Sequence, residues 1–187
     1  VAGSNGFRFI RQFNEYGLKG KMAIVGGMTA LDEAVLKNMG NEALGIETAC
    51  WYSAELNNPI NNKFSPAFRA ANKYDPGFYA ASTFVNAAIL DAALKVVGGN
   101  ASNRDGLMAA RRKTNLPPAR GPVSFDSYGN IVGDVFIRKV ERKDGRLVNT
   151  VTKTYTNVSQ FWTYEPKGFL ANPVYSRDYP PAKNIES

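Results

Sequence analysis

Two short segments carry the chemistry this sequence can offer, Gly3-Ser4-Asn5-Gly6 and Gly26-Gly27-Met28-Thr29. Each stands where a strand passes into a helix, so each presents small side chains and unpaired backbone N–H groups at a helix start, which is how a fold holds an anion. Taken singly, either is equally a plain glycine turn with a cap. As a pair on adjacent crossovers, they share the rim where open α/β sheets take their ligands. A helix end contributes on the order of 0.3–1 kcal/mol, at most about 2, whereas micromolar affinity needs about 8. A ligand held there must also be enclosed by apolar and aromatic surface. Trp51-Tyr52 and Phe78-Tyr79 offer such rings, although either pair also suits ordinary core.

The rest of the inventory argues against an enzyme. There is no G-x-S-x-G elbow and no G-x-x-x-x-G-K-[ST] loop, and Gly3-Ser4-Asn5-Gly6 has the wrong spacing for G-x-G-x-x-G. With no histidine and one cysteine, a structural zinc site and an internal disulfide are excluded. No metal or other cofactor is expected. Cys50 lies in the apolar run from Ile46 to Tyr52, where a buried, inert thiol is expected. Asp32 and Glu33 read as helix-start carboxylates that complement the dipole. The net charge of +7 comes from short groups such as Arg111-Arg112-Lys113 and Arg138-Lys139 with Arg142-Lys143. These read as solvated surface, and the absence of a basic stripe interleaved with aromatics argues against nucleic acid.

The elements that must position these residues follow from periodicity. Phe9, Ile10, Phe13 and Tyr16 predict one buried face of a helix capped by Asn5 and ended by Gly17. Met22 to Val25 reads as a short strand buried on both faces. Thr29 with Asp32 opens a second helix, in which Leu31, Val35 and Leu36 face inward and Gly40 closes, and Ile46 to Tyr52 is the next strand. This alternation predicts a parallel sheet with helices over its faces. Asn58-Pro59 starts a helix that Pro66 should kink or divide before Tyr74. A long helix from about Phe78 to Val97 packs through Phe84, Ala87, Ala88, Leu90, Asp91 and Leu94, and Ser102 with Asp105 caps a further one. From Gly121 the period falls to two, and Val135 to Val140 joins Leu147 to Tyr155 through Asp144-Gly145 as a β-hairpin. An irregular tail rich in rings and prolines closes the chain.

The order of motifs resembles the periplasmic ligand-binding proteins related to the leucine/isoleucine/valine-binding protein. The matching stretches are Gly3-Ser4-Asn5-Gly6 through Gly17-Leu18-Lys19-Gly20-Lys21, Leu44-Gly45-Ile46, Asn58-Pro59, Tyr79 with Ala87-Ala88 and Asp91-Ala92-Ala93-Leu94, Arg120-Gly121-Pro122, and Phe125 to Asn130. The resemblance implies part of a two-lobed type I periplasmic binding fold, with parallel sheets flanked by helices, a C-terminal β-hairpin and an irregular tail. It places residues 1–49 and 125–187 in the C-terminal lobe and residues 50–124 in the N-terminal lobe. The remainder of the first lobe would come from an N-terminal portion of the same protein, which would also carry the export signal to the periplasm.

By the same resemblance, the ligand would touch Ala2, Gly3 and Ser4 at the first turn, Gly26, Gly27 and Met28 at the second, and Phe78 or Tyr79 at the long helix. The partners implied are a small-molecule ligand and the membrane permease of an ABC transporter. Amino-acid-specific members place an acidic residue at the second turn to hold the ammonium group, and this chain has Gly26 and Gly27. A buried ammonium without a carboxylate is costly, so an aromatic or other organic acid is expected in preference to an amino acid. The stretch Tyr175 to Pro181 resembles a subgroup associated with aromatic acid uptake. A different class that shares the fold is the effector-sensing domain of a transcription regulator or receptor.

Overall fold

The structure, a computed structural model, describes residues 3–173. Ala2 and the stretch from Tyr175 to Pro181 lie outside the described residues, as does the side chain of Ser4. In chain order the elements are α1 (Gly3–Glu15), β1 (Val25–Gly26), α2 (Glu33–Leu36), a 3-10 turn (Asn41–Ala43), β2 (Glu47–Cys50), α3 (Asn61–Asn72), α4 (Phe78–Val96), α5 (Arg104–Arg112), β3 (Val123–Phe125), β4 (Ile131–Lys143), β5 (Arg146–Val158) and α6 (Pro166–Leu170).

Five strands form one sheet in the order β1-β2-β4-β3, with β5 paired on β4. The parallel pairing expected from the alternation is confined to β1 and β2. The β2–β4, β3–β4 and β4–β5 pairs are antiparallel, so the sheet is mixed. The hairpin is longer than its apolar alternation predicts. Asp144 and Gly145 take φ of 48° and 77°, the twist-matched two-residue turn that lets both flanking strands pair to their ends.

Several expectations need correction. The strand at Met22 to Val25 is only Val25–Gly26, and Met22 and Val25 are exposed. β1 is the outermost strand and pairs with β2 alone, so no described strand pairs with its other edge. Of the predicted inner face of α1, Ile10 is buried, Phe13 half-buried, and Phe9 and Tyr16 exposed. Asn5 is not the cap, because the helix already begins at Gly3. A hollow of about 510 Å³ lined by Phe13, Met22 and Val25 runs along this open side. Pro66 does not divide α3, which continues to Asn72 and ends at Lys73 with φ 66°. Asn103, and not Ser102, caps α5, its Oδ1 accepting from Gly106 N–H at 3.0 Å. The packed stripe of α4 is Phe78, Ala81, Val85, Ile89 and Ala93. Phe84 and Leu90 lie at or beyond its edge and remain partly exposed. In the tail, α6 forms one short helix, and Phe161 is buried with its ring 5.3 Å from Tyr128 and 5.6 Å from Phe169.

Two cores hold the layers together. Ile10, Leu31, Leu36, Ala43, Ile46 and Val140 join α1, α2 and the sheet. Cys50, Tyr52, Ala54, Phe78, Ala81 and Ala119 join the end of β2 to α4, with Met28, Trp51 and Phe64 packed against them. The second cluster is the physical link between the turn after β1 and the helical layer.

Candidate functional site

The turn between β1 and α2 meets the start of α4 through one side chain. Asp32 is 5 % exposed. One of its carboxylate oxygens, Oδ2, accepts from Ala34 N–H at 3.4 Å and caps α2. The other, Oδ1, reaches 46 residues along the chain to accept from Phe78 N–H at 2.9 Å. The first turn of α4 thus receives its cap from another element, since Gly77 has no side chain to give one. A Cβ at Gly77 would strike the Asp32 carboxyl group, so glycine is required where the two elements meet.

This junction brings together Met28, Trp51, Phe78 and Tyr79 among the residues singled out in the sequence. Met28 packs on the same cluster as Phe78. Gly27 is exposed, and a Cβ built on it meets no atom within 4 Å. At Gly26 a Cβ would come within 2.9 Å of the Ala30 Cβ, so no side chain fits. Phe78 is buried and Tyr79 is 72 % exposed. Their ring centroids lie 4.2 Å apart, and Trp51 meets Phe78 edge to face at 6.1 Å. Gly3 and Ser4 are the first residues of α1, which shares the Ile10 and Leu31 core with the segment after the second turn. Tyr52 is core, its hydroxyl donating to Asn61 Oδ1 at 2.8 Å, and burial raises its pKa well above the ordinary phenol value.

Behind the turn lies a buried polar knot. Arg138 was expected at the solvated surface, and it is fully buried. Its position explains this, since β4 sends Phe136, Arg138 and Val140 to the same inward face. Its guanidinium donates to Tyr52 O at 2.8 Å and to Thr48 Oγ1 at 3.1 and 3.2 Å, and it stands 3.5 Å from Glu33 Oε1. Glu33 Oε1 also accepts from Ala54 N–H at 3.3 Å, whereas Glu33 Oε2 has no partner. Burial pushes the Glu33 carboxyl up to about 7 against the pull of Arg138. Asn149 donates to Leu31 O at 2.9 Å and ties the knot to β5. Cys50 is buried, and burial raises its thiol pKa, as an inert position requires.

On the far side of Trp51 stands Arg120, whose Cζ lies 4.5 Å over the indole. The cavity beside them measures about 470 Å³. Asp32, Glu33 and Arg138 read in the sequence as local helix-start charges and surface charge, and Arg120 as part of a motif only. The inward alternation of β4 is the signal that points to Arg138, while the long reach of Asp32 has no local signature. Among the described residues, no group of three or more His, Cys, Asp or Glu side chains stands close enough to hold a metal ion. No described helix is long and apolar enough to cross a membrane.

A mixed sheet whose strand-to-helix turn is pinned against the start of a ring-bearing helix defines an α/β protein. The chain belongs to the periplasmic binding protein family, whose sequence profile matches residues 1–146. It is 26 % identical over 161 residues to a Leu/Ile/Val-binding protein homolog from Brucella abortus, a match that covers 82 % of this chain and 40 % of the relative. A solute-binding protein of an ABC transporter from Rhodopseudomonas palustris, solved with 3,4-dihydroxybenzoic acid, aligns with a TM-score of 0.78 at 35 % identity, covering 85 % of this chain and 44 % of that one. A second from R. palustris, solved with benzoate, aligns with a TM-score of 0.71 at 28 % identity, covering 81 % and 41 %. The neighbours are two-lobed type I binding proteins, and this chain spans about two-fifths of their length.

Proposed function

We propose that the polypeptide containing this chain is a periplasmic receptor that captures a small organic acid, an aromatic carboxylate, and delivers it to the membrane permease of an ABC transporter. In this reading residues 1–49 and 125–187 belong to one lobe and residues 50–124 to the other, with an N-terminal portion of the same protein completing the pair. The ligand lies between Ala2, Gly3 and Ser4, the turn at Gly26, Gly27 and Met28, and the rings of Phe78 and Tyr79. The observation that carries the reading is the bond from Phe78 N–H to Asp32, which brings the glycine turn and the ring-bearing helix to one place.

The two carboxylates that follow the turn in sequence are turned into the fold. Asp32 engages Phe78 and Ala34, and Glu33 faces Arg138 and Ala54. Neither is then free to hold an ammonium group, which supports a carboxylate ligand over an α-amino acid. The aromatic acids held by the two Rhodopseudomonas palustris relatives support the same class.

Thermal-shift screening of the complete polypeptide tests the proposal. Aromatic carboxylates are expected to raise Tm, and leucine and valine to leave it unchanged. Gly27→Leu projects into open space, so it is expected to keep the unliganded Tm and abolish the ligand-induced rise. Stabilisation by leucine alone, or an undiminished rise in Gly27→Leu, contradicts the reading.

A further inference from the structure

Arg120 is a buried cation with no carboxylate in contact among the described residues. Its residue is 7 % exposed, and its Nε has no hydrogen-bond partner. Its Nη2 donates to the backbone carbonyl of Asp134 at 3.2 Å. No carboxylate among the described residues lies within ion-pair distance of it: the neighbouring Asp134 side chain instead accepts from Asn157 N–H at 3.1 Å. Burying a charge is expensive unless it is paired, and the Asp134 carboxylate attracts this one only from beyond ion-pair distance.

The surroundings form a receptacle. The guanidinium lies over the Trp51 ring, and both line the cavity of about 470 Å³ together with Ser82 and Asn86 of α4 and Gly133 and Val135 of β4. Gly133 is part of the construction, because a Cβ there would come within 3.1 Å of Arg120 Nη2. The volume falls within the range of small-molecule sites, which combine apolar walls with a few convergent polar groups. Desolvation lowers the Arg120 pKa to about 10, so the side chain remains charged at neutral pH.

We propose that this cavity takes the carboxylate of a small planar organic acid, with Arg120 as its counter-ion and Trp51 against its ring. The proposal deepens the receptor reading and rests on it: it moves the carboxylate end of the ligand into a cavity that shares no lining residue with the glycine turns and joins the Phe78 ring only through Trp51, 6.1 Å from it. A guanidinium offers a carboxylate two parallel N–H donors, so it discriminates sharply between an acid and its neutral isostere.

The test is titration calorimetry of the complete polypeptide with benzoate and with benzamide, in the wild type and in Arg120→Met and Arg120→Lys. The wild type is expected to prefer benzoate by at least tenfold. Arg120→Met should lose about 10- to 100-fold in benzoate affinity, with benzamide nearly unchanged, so that the preference collapses; a role for Arg120 in packing alone would weaken both probes together. Arg120→Lys should keep part of the preference, which covers the case in which the methionine variant fails to fold. Wild-type affinity for benzoate in Arg120→Met, equal wild-type affinity for both probes, or loss of the preference in Arg120→Lys as complete as that in a folded Arg120→Met would overturn this inference while leaving the receptor reading intact. A wild type that binds leucine and neither probe removes the receptor reading itself, and the role of Arg120 with it.

Discussion

Arg138 and Glu33 show how much one residue can commit. The pair is fully buried, with Arg138 bonded to Thr48 and Tyr52 and Glu33 to Ala54. Removing the Arg138 guanidinium leaves Tyr52 O and Thr48 Oγ1 buried without their donor, at a cost on the order of 1–3 kcal/mol for each unsatisfied group. Arg138→Met is therefore expected to lower the urea midpoint of the complete polypeptide strongly, and an unchanged midpoint would show that the knot contributes little. Glu33 adds a pH dependence. Its folded carboxyl keeps its proton to about pH 7, against 4.5 for the unperturbed group, so between those values the folded state binds more protons. Its contribution to stability is fully present below about pH 4.5 and is lost as the pH rises through about 7. Glu33→Gln is expected to flatten that part of the pH–stability curve, and an identical slope in the variant would assign it to another group.

At the scale of elements, the docking of the β1–α2 turn on α4 is the decisive event. Replacing a capping carboxylate by alanine typically costs about 0.5–2 kcal/mol. Asp32→Ala is expected to lose about that much and to weaken ligand binding as well, because the turn is no longer fixed against Phe78. Gly77→Ala attacks the same junction from the other side and should reproduce both effects, as measured by Tm and by ligand titration. A silent Gly77→Ala would mean that the two elements do not meet as described.

Much of this level was legible in the residues. The long helix from Phe78, the hairpin closing at Asp144-Gly145 and the strand before Tyr52 all follow from local periodicity and turn chemistry, which act within a few residues. The buried face of α4 did not follow, because Phe84 and Leu90 are as apolar as Val85 and Ile89 and only the partner surface decides between them. The site divides in the same way. The glycine turn and the rings stand out by residue type and spacing, whereas Asp32 acts across 46 residues and Arg120 derives its character from burial beside Trp51. Neither long reach nor burial is written in a short window of sequence.

For the whole molecule, the exposed apolar surface is the telling feature. Met22 and Val25 at the open edge of the sheet, with Leu90 and Val96 on α4, are each more than half exposed. The pair at the sheet edge flanks an apolar hollow, the kind of surface that marks an interaction site, and the relatives are more than twice as long as the part this chain spans. Expressed alone, residues 1–187 are expected to self-associate on size-exclusion chromatography, while the complete polypeptide elutes at its own mass; a monodisperse, monomeric 187-residue chain would mean that this surface needs no cover. In the proposed reading, the protein that contains this chain is a receptor for a small aromatic acid. Calorimetric titration of the complete polypeptide with 4-hydroxybenzoate, beside leucine, puts that to the most direct test. One molecule bound per chain at micromolar or tighter Kd, with no heat from leucine, is the expected result, and saturable leucine binding with no response to the aromatic acid would contradict it.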